Sequence, residues 1–383
     1  MTVAAPLPID EPVRGVPAYT HHPGILRLVG LEQIRLFQHG QLPHTPLWYL
    51  TGLQITESAV GSATYRLPMT GWLANPAGVT PGGVLAFAAD AALGNAIHTA
   101  LGPRRIVATW DLALDYVRPP DARADAVTVT ARLIHAGRQQ ALSEATVADT
   151  GGHLLAHATS RCVLMDVPGE LPEPPTTPVA EPQYVGPHPF ERPAVGRPLP
   201  QDIWNTTTGL QILRAAQRHD LPRSPLANLL GSELRDVADG LVVCEIPASG
   251  WFANPAGTLY GGLQAAFADY AILCAVQSTA PVGTSLATLD LKVRYLRPVP
   301  VDGRALQARA RVVHRGRRLA VATAELVSAD GKRAALADAS VMLRPGQQWT
   351  QPFTLLDERL PHTDPTAHLP ALPGGYDGPG VQK

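Results

Sequence analysis

Two short stretches of the chain carry the same set of residues that could do chemistry on a carbonyl group. They are GWLANPAGVTPGG, from Gly71 to Gly83, and GWFANPAGTLYGG, from Gly250 to Gly262, and each runs into an apolar segment with one carboxylate. The residues concerned are Asn75, Gly82, Gly83 and Asp90 in the first copy, and Asn254, Gly261, Gly262 and Asp269 in the second. Glycines at a helix start leave backbone N–H groups unpaired and unobstructed, as an oxyanion hole requires. The motif therefore predicts a site in which backbone N–H groups hold a carbonyl oxygen and a carboxylate acts on that carbonyl group.

The spacing between glycines and aspartate predicts that the two copies share their sites. Asp90 lies seven residues after Gly83, which is two helical turns and roughly 10 Å along the axis. A carboxylate that far away cannot act on a carbonyl held by its own glycines. It can act on one held by the other copy if the two helices lie antiparallel across a pseudo-twofold axis. The expected composite sites are Asn75 and Gly83 with Asp269, and Asn254 and Gly262 with Asp90.

A purely structural interpretation of the motif is also open at this stage. The glycines could do no more than turn a loop into a helix, and each aspartate could cap a loop or face solvent. The whole motif occurs in both copies, which favours the functional interpretation, although duplication alone also preserves it.

The repeat extends well beyond the motif. Gly71 and Gly250 are 179 residues apart, and the same offset aligns the copies without a gap from about Gly30 to Met165, which indicates a tandem duplication. The predicted segments are an N-terminal tail (1–25), a first domain (26–166), a linker (167–204), a second domain (205–346) and a C-terminal tail (347–383). The linker is so rich in proline that we expect neither helix nor strand in it.

Within each copy the pattern is a strand, a turn, one long helix from Gly83 or Gly262, and four strands. The first strand after the helix alternates, with Trp110, Leu112, Leu114 and Tyr116 on one face and Thr109, Asp111, Ala113 and Asp115 on the other. One helix with a run of antiparallel strands predicts an α+β fold, the sheet wrapped around the helix. Because a single copy would expose an edge strand, we expect both copies to join in one continuous sheet. The polar strand face predicts a homodimer of chains.

Composition argues against several other classes of function. The 383 residues are 45% hydrophobic, with a formal net charge of −1, so we expect neither a nucleic-acid partner nor an anionic membrane. The three cysteines are far apart and odd in number, which fits neither a disulfide framework nor a metal site. The first residues lack the basic and apolar run of a signal peptide, and a cytoplasmic location is expected. No metal or redox cofactor is expected.

With these residues in place, each copy resembles a hotdog-fold acyl-CoA thioesterase of the phenylacetate-catabolism (PaaI-like) type. That family has Asn-x-x-Gly-x-x-His-Gly-Gly before its central helix and an aspartate on the helix, and the resemblance extends to YxRP and HxGR in later strands. It implies a tandem double hotdog that hydrolyses an acyl-CoA or acyl-carrier thioester, with coenzyme A as part of the substrate. The implied roles are oxyanion N–H groups from Gly82 and Gly261, thioester binding by Asn75 and Asn254, a nucleophile or general base from Asp90 and Asp269, and orientation of the water or the aspartate by Thr109 and Thr288.

Both copies depart from the family at the motif histidine. Pro81 stands there in the first copy and Tyr260 in the second. Proline has no N–H and no side-chain donor, whereas tyrosine offers a hydroxyl. This favours the site of Asn254, Tyr260 and Gly261 with Asp90 over its counterpart. Loss of both histidines also leaves open a non-catalytic acyl-CoA or acyl-carrier binding protein, and a structural partner in a larger assembly is the third hypothesis.

Other residues are candidates for holding the substrate. We expect Gly83 and Gly262 to contact it, and the hairpin HRGRR offers Arg315, Arg317 and Arg318 to the phosphates of coenzyme A. The same arginines could equally form a solvated turn. A structural or exposed role is expected for His135 and His314, and a solvated or inter-sheet role for Asp111 and Asp290.

Overall fold

A computed structural model describes residues 22–120, 124–179 and 189–346. Within them the α-helices are α1 (Gly30–Gln38), α2 (Pro46–Thr51), α3 (Gly82–His98), α4 (Gln201–Thr206), α5 (Gly209–Gln217), α6 (Pro225–Leu230) and α7 (Gly261–Ser278). The β-strands are β1 (Gln54–Ala59), β2 (Ser62–Pro68), β3 (Arg105–Tyr116), β4 (Ala126–Ala136), β5 (Gln140–Asp149), β6 (Leu154–Asp166), β7 (Glu233–Ala238), β8 (Leu241–Pro247), β9 (Thr284–Tyr295), β10 (Ala305–Arg315), β11 (Leu319–Val327) and β12 (Arg333–Pro345). Short 3-10 turns cover Pro23–Arg27, Gly71–Leu73, Pro189–Glu191 and Gly250–Phe252. Each copy therefore has two strands before its long helix, where the sequence pattern predicted one.

The two long helices, α3 and α7, lie in the core. α3 begins at Gly82 and α7 at Gly261, one glycine earlier than predicted. Every residue of α3 from Gly83 to Leu93 is buried, which is what a helix that is apolar all round requires. The inner faces of the strands cover both helices, so one hydrophobic cluster joins the two halves.

The strands form one twelve-stranded sheet, in the order β1-β2-β4-β5-β6-β3-β9-β12-β11-β10-β8-β7. The halves meet where β3 pairs antiparallel with β9, from Asp111 opposite Arg294 to Asp115 opposite Asp290. In the middle of this ladder Ala113 faces Lys292, its equivalent in the repeat. A pseudo-twofold axis therefore passes through the centre of the sheet, and the predicted α+β double hotdog with one continuous sheet is confirmed.

A β-bulge at Trp110 changes which residues of β3 face the helices. The register between β3 and β6 shifts between Thr109 and Asp111, so Trp110 is an extra residue. The strict alternation that we predicted is therefore wrong here. Trp110 is 53% exposed, and Thr109 faces the helices, as Leu112 does. β9 has the matching bulge after Thr288.

The predicted linker contains helical structure, contrary to expectation. The turn Pro189–Glu191 lies within it and helix α4 begins within it, and Trp204 of α4 packs with Leu199 and Ala77 in a small apolar cluster. This burial favours a short helix that composition alone argues against. The linker also binds the first motif, since Leu199 donates its N–H to the carbonyl oxygen of Pro76 at 2.8 Å.

The two predicted tails lie partly or wholly outside the described residues. The C-terminal tail does so entirely, and the N-terminal tail does so up to residue 21. Residues 22–25 of the N-terminal tail enter the 3-10 turn Pro23–Arg27, in which Ile25 is fully buried. The domain boundaries and the homodimer of chains stay predictions. None of the helices in the described ranges is long and apolar enough to cross a membrane.

Candidate active site

Asp90 lies in the core beside the first turn of the other copy's helix, α7. Its Oδ1 accepts a hydrogen bond from the Thr109 hydroxyl at 3.0 Å, and the N–H of Gly262 bonds the same carboxylate. A Cβ atom on Gly261 would lie 3.0 Å from Asp90 Oδ2. The carboxylate of the first copy therefore lies at the helix N-terminus of the second.

Asp269 occupies the equivalent position at the start of α3. Its Oδ2 accepts a hydrogen bond from the N–H of Gly83 at 2.8 Å, and its Oδ1 accepts one from the Thr288 hydroxyl at 2.7 Å. The residue is fully buried. Two crossed sites result, the Asp90 site with the glycines of α7 and the Asp269 site with the glycines of α3.

The second glycine of each pair lets the two helices cross closely. A Cβ atom on Gly262 would lie 2.6 Å from the carbonyl oxygen of Phe87, and one on Gly83 would lie 2.8 Å from the Cα atom of Ala266. Both contacts are with backbone, which cannot rotate aside. The N–H groups of these two glycines bond the aspartates. These glycines therefore position the carboxylates, and their contact with substrate stays a prediction.

The first glycine of each pair, Gly82 and Gly261, has an open N–H group. Among the described residues, neither group has a hydrogen-bond acceptor. Both stand at the first position of a helix, where the partial positive charge of the helix end favours a negative oxygen. Each site thus offers one free donor within the first turn of a helix, adjacent to a buried carboxylate.

Burial changes the acidity of both carboxyls in the same way. Desolvation, only partly offset by the hydrogen bonds from Thr109 and Gly262, raises the pKa of Asp90 to about 6. Desolvation also raises the pKa of Asp269 to about 6, against the bonds from Thr288 and Gly83. A carboxylate with this pKa is a stronger base than a solvated one and is still ionised at neutral pH.

Three half-buried tyrosines differ between the two sites. Tyr260 precedes Gly261, and its ring stacks edge-on against Phe87 with centroids 5.7 Å apart. Burial, and then the charge of Asp90, raises the pKa of its phenol well above the ordinary value. Tyr295 donates its hydroxyl to the carbonyl oxygen of Gly261 at 2.8 Å.

Tyr116, the repeat equivalent of Tyr295, lies against Gly82. A Cβ atom on Gly82 would be 2.8 Å from Tyr116 Cζ. The Tyr116 hydroxyl is buried and has no hydrogen-bond partner among the described residues. Sequence analysis missed both tyrosines as site residues, although the matched YxRP at the ends of β3 and β9 could have drawn attention to them.

The two motif asparagines hold their own loops together. Asn75 Oδ1 accepts the N–H groups of Ala77 and Val79 at 2.9 and 3.2 Å. Asn254 Oδ1 accepts the equivalent pair, and its Nδ2 donates to the Thr258 hydroxyl at 2.9 Å. Such local bonds to nearby backbone N–H groups are typical of turns. The structure shows loop bonds for both residues, and thioester binding by them stays a prediction.

The hairpin arginines lie away from both glycine pairs. Arg315 Nε donates to the Thr279 hydroxyl at 2.9 Å, beyond the C-terminal end of α7. Ten helical residues, or about 15 Å, separate Thr279 from Asp269. Arg317 and Arg318 are exposed. The structure does not bring these three side chains together with either site.

An apolar cleft lies on the pseudo-twofold axis between the two copies. About 460 Å³ of unfilled space, open solvent included, lies between its walls, and equivalent residues of both copies line it, such as Leu47 and Leu226 or Leu50 and Leu229. The cleft reaches Pro81, next to the open N–H of Gly82, whereas Tyr260 is not among its lining residues. Within the described residues, no three His, Cys, Asp or Glu side chains are grouped so as to hold a metal ion.

Comparison with known proteins gives a consistent result for both halves. The model of the thioesterase superfamily matches residues 77–156 and 256–335. A Halobacterium salinarum protein named as a candidate esterase is 36% identical over 108 residues, which cover 27% of this chain and 70% of that protein.

Two solved structures are also similar to the chain. A phenylacetic acid degradation-related protein of Ralstonia eutropha, titled as a candidate thioesterase, is 34% identical and covers 34% of this chain and 97% of its own, with a TM-score of 0.32. The tesB protein of Mycobacterium avium subsp. paratuberculosis is 15% identical and covers 78% and 98%, with a TM-score of 0.49.

Proposed function

Because the chain belongs to the thioesterase superfamily, with one matched region in each half, we propose that it hydrolyses acyl-CoA thioesters to a free acid and coenzyme A. The observation that carries the proposal is the placement of each buried aspartate at the first turn of the other copy's helix. A base, an open N–H group and a fixed cross-helix geometry are the parts that acyl transfer needs.

The geometry supports the same overall reaction at both sites, with two candidate roles for the aspartate. The carbonyl oxygen of the thioester accepts the open N–H of Gly82 or Gly261, which stabilises the negative charge of the tetrahedral intermediate. The opposite aspartate either takes a proton from water, whose oxygen attacks the carbonyl carbon, or attacks that carbon itself to form an anhydride that water then hydrolyses. The carbon–sulfur bond breaks, and the thiolate leaves as coenzyme A after gaining a proton.

The lining of the cleft favours an apolar acyl group. Its lining residues, apart from Thr51, are all apolar, so a charged acyl end would be buried there without a partner at a large cost. We expect kcat/KM for hexanoyl-CoA to exceed that for adipoyl-CoA, which differs by a terminal carboxylate, at least tenfold. Thiol release from the two substrates measures this ratio, and equal rates would contradict the apolar assignment.

The same assay separates the enzyme from its main alternative. A non-catalytic acyl-CoA binding protein, suggested by the loss of both motif histidines, would bind hexanoyl-CoA without releasing thiol. Thiol release by the purified protein at a rate proportional to its concentration supports the hydrolase. Binding by calorimetry without release would favour the binding protein.

The raised pKa of the two carboxyls predicts the pH dependence of hydrolysis. An aspartate acts as base or nucleophile only when ionised, and the pKa of both groups is about 6. We therefore expect kcat/KM to fall about tenfold per pH unit below pH 6 and to level off above it. Thiol release read with dithiodipyridine, which also reacts at acid pH, gives the profile. A midpoint near pH 4 would show that the carboxylates are not desolvated in the working enzyme.

A further inference from the structure

Tyr116 brings a buried phenol to the first turn of α3. A Cβ atom on Gly82 would lie 2.8, 3.0 and 3.2 Å from the Cζ, Cε1 and Cε2 atoms of Tyr116. The end of the ring that carries the hydroxyl therefore faces the glycine whose N–H is open. The hydroxyl is buried without a partner among the described residues, and a buried hydroxyl without a hydrogen bond is unfavourable. The Tyr116 hydroxyl is therefore available to donate a hydrogen bond to a bound molecule.

In the other copy, the equivalent phenol has a hydrogen-bond partner. Tyr295 has the same place relative to α7, and its hydroxyl donates to the Gly261 carbonyl oxygen at 2.8 Å. The two tyrosines therefore differ in state although the repeat equates them. The Asp90 site has a second phenol, Tyr260, at the motif position, whereas the Asp269 site has Pro81 there, which donates nothing.

We propose that the Tyr116 hydroxyl donates a hydrogen bond to the carbonyl oxygen of a thioester bound at the Asp269 site. Together with the N–H of Gly82 it makes a two-donor oxyanion hole, and so supplies the donor that Pro81 lacks. This inference rests on the proposed thioesterase function. In this arrangement each site has one phenol free to donate, Tyr116 beside Asp269 and Tyr260 beside Asp90, while Tyr295 bonds the Gly261 carbonyl oxygen.

Two further observations agree with this role. Burial, and then the charges of Asp269 and Asp290, raises the pKa of Tyr116 well above its ordinary value, so the phenol keeps its proton and remains a donor. The apolar cleft reaches Pro81, the residue directly before Gly82. An acyl chain in the cleft would thus bring its carbonyl group to the turn that Tyr116 covers.

The test compares Tyr116→Phe in two backgrounds, with hexanoyl-CoA as substrate. Asp90→Asn leaves only the Asp269 site with its carboxylate, and Asp269→Asn leaves only the Asp90 site. In the Asp90→Asn background we expect Tyr116→Phe to lower kcat at least tenfold and to change KM less than threefold, because an oxyanion bond is strongest in the transition state. In the Asp269→Asn background the loss should be at least fivefold smaller. Thermal melts of all four proteins check folding.

The outcomes separate the inference from the function on which it rests. Equal losses in the two backgrounds would show that Tyr116 only supports the fold, and no loss in the Asp90→Asn background would show that the hydroxyl does not reach the substrate. An inactive Asp90→Asn protein would also overturn the inference, since the Asp269 site would then do nothing. Absence of thiol release from the wild type with any thioester would instead overturn the proposed function itself.

Discussion

The double variant Asp90→Asn, Asp269→Asn is expected to lose at least about 10²-fold in kcat/KM for hexanoyl-CoA. Asparagine keeps the shape of the side chain and can still accept a hydrogen bond, but it can neither take a proton from water nor attack a carbonyl. Since the two carboxyls have equivalent partners and a similar raised pKa of about 6, each single variant should keep roughly half of the activity. Thiol release by the four proteins gives the comparison.

The stability of the same proteins supplies the control. The folded-state pKa of each aspartate lies about two units above the ordinary value. The folded protein therefore holds protons that the unfolded chain has released between pH 4 and 6, and stability falls as pH rises through this window. Two units correspond to roughly 3 kcal/mol per group. We expect the double variant to gain stability relative to wild type as pH rises from 4.5 to 7.5, measured by denaturant unfolding.

Full activity in the double variant would remove the carboxylates from the mechanism and favour the binding protein. A very unequal pair of single variants would indicate that only one site works. The motif position alone, Tyr260 against Pro81, predicts the greater loss for Asp90→Asn. The structure weakens that ranking, because Tyr116 provides a phenol in the site that Pro81 leaves incomplete.

Sequence analysis reached the architecture because the relevant information is local and repeated. The constant offset of 179 residues reveals the duplication, and the seven-residue step from Gly83 to Asp90 places the carboxylate too far along the helix to serve its own glycines. Helix geometry is regular, so counting residues gives distance along the axis. The resulting hydrogen bond between Gly83 and Asp269, 186 residues apart in sequence, is in the structure at 2.8 Å.

The features that sequence analysis missed depend on tertiary contacts. One extra residue, Trp110, shifts the side-chain alternation of β3, and no strand pattern shows a bulge without its ladder partner. Trp204 stabilises a short helix in a proline-rich linker by packing against the first copy. The sequence also cannot show that the Tyr116 hydroxyl has no partner among the described residues. Its repeat equivalent, Tyr295, is also a tyrosine, yet its hydroxyl donates to the Gly261 carbonyl oxygen.

The close crossing of α3 and α7 leads to the second large effect, that of Gly262→Ala. The new methyl group would lie 2.6 Å from the Phe87 carbonyl oxygen and 3.0 Å from Asp90 Cβ, and the helices must separate to admit it. Overpacking of this kind costs about 1–3 kcal/mol. Separation also moves Asp90 away from the open N–H of Gly261, so we expect kcat to fall at least tenfold.

The matched control is Gly94→Ala, the same substitution within α3. A Cβ atom on Gly94 would have no neighbouring atom within 4 Å, and alanine is a better helix former than glycine by about 0.8–1.0 kcal/mol. We therefore expect this variant to be more stable than wild type, with kcat within twofold of it, while Gly262→Ala moves in the opposite direction in both measurements. Chemical denaturation and thiol release on the three proteins decide the matter. If Gly262→Ala matched wild type in stability and kcat, the two helices could separate without disturbing the reaction, and the cross-copy site would lose its physical basis.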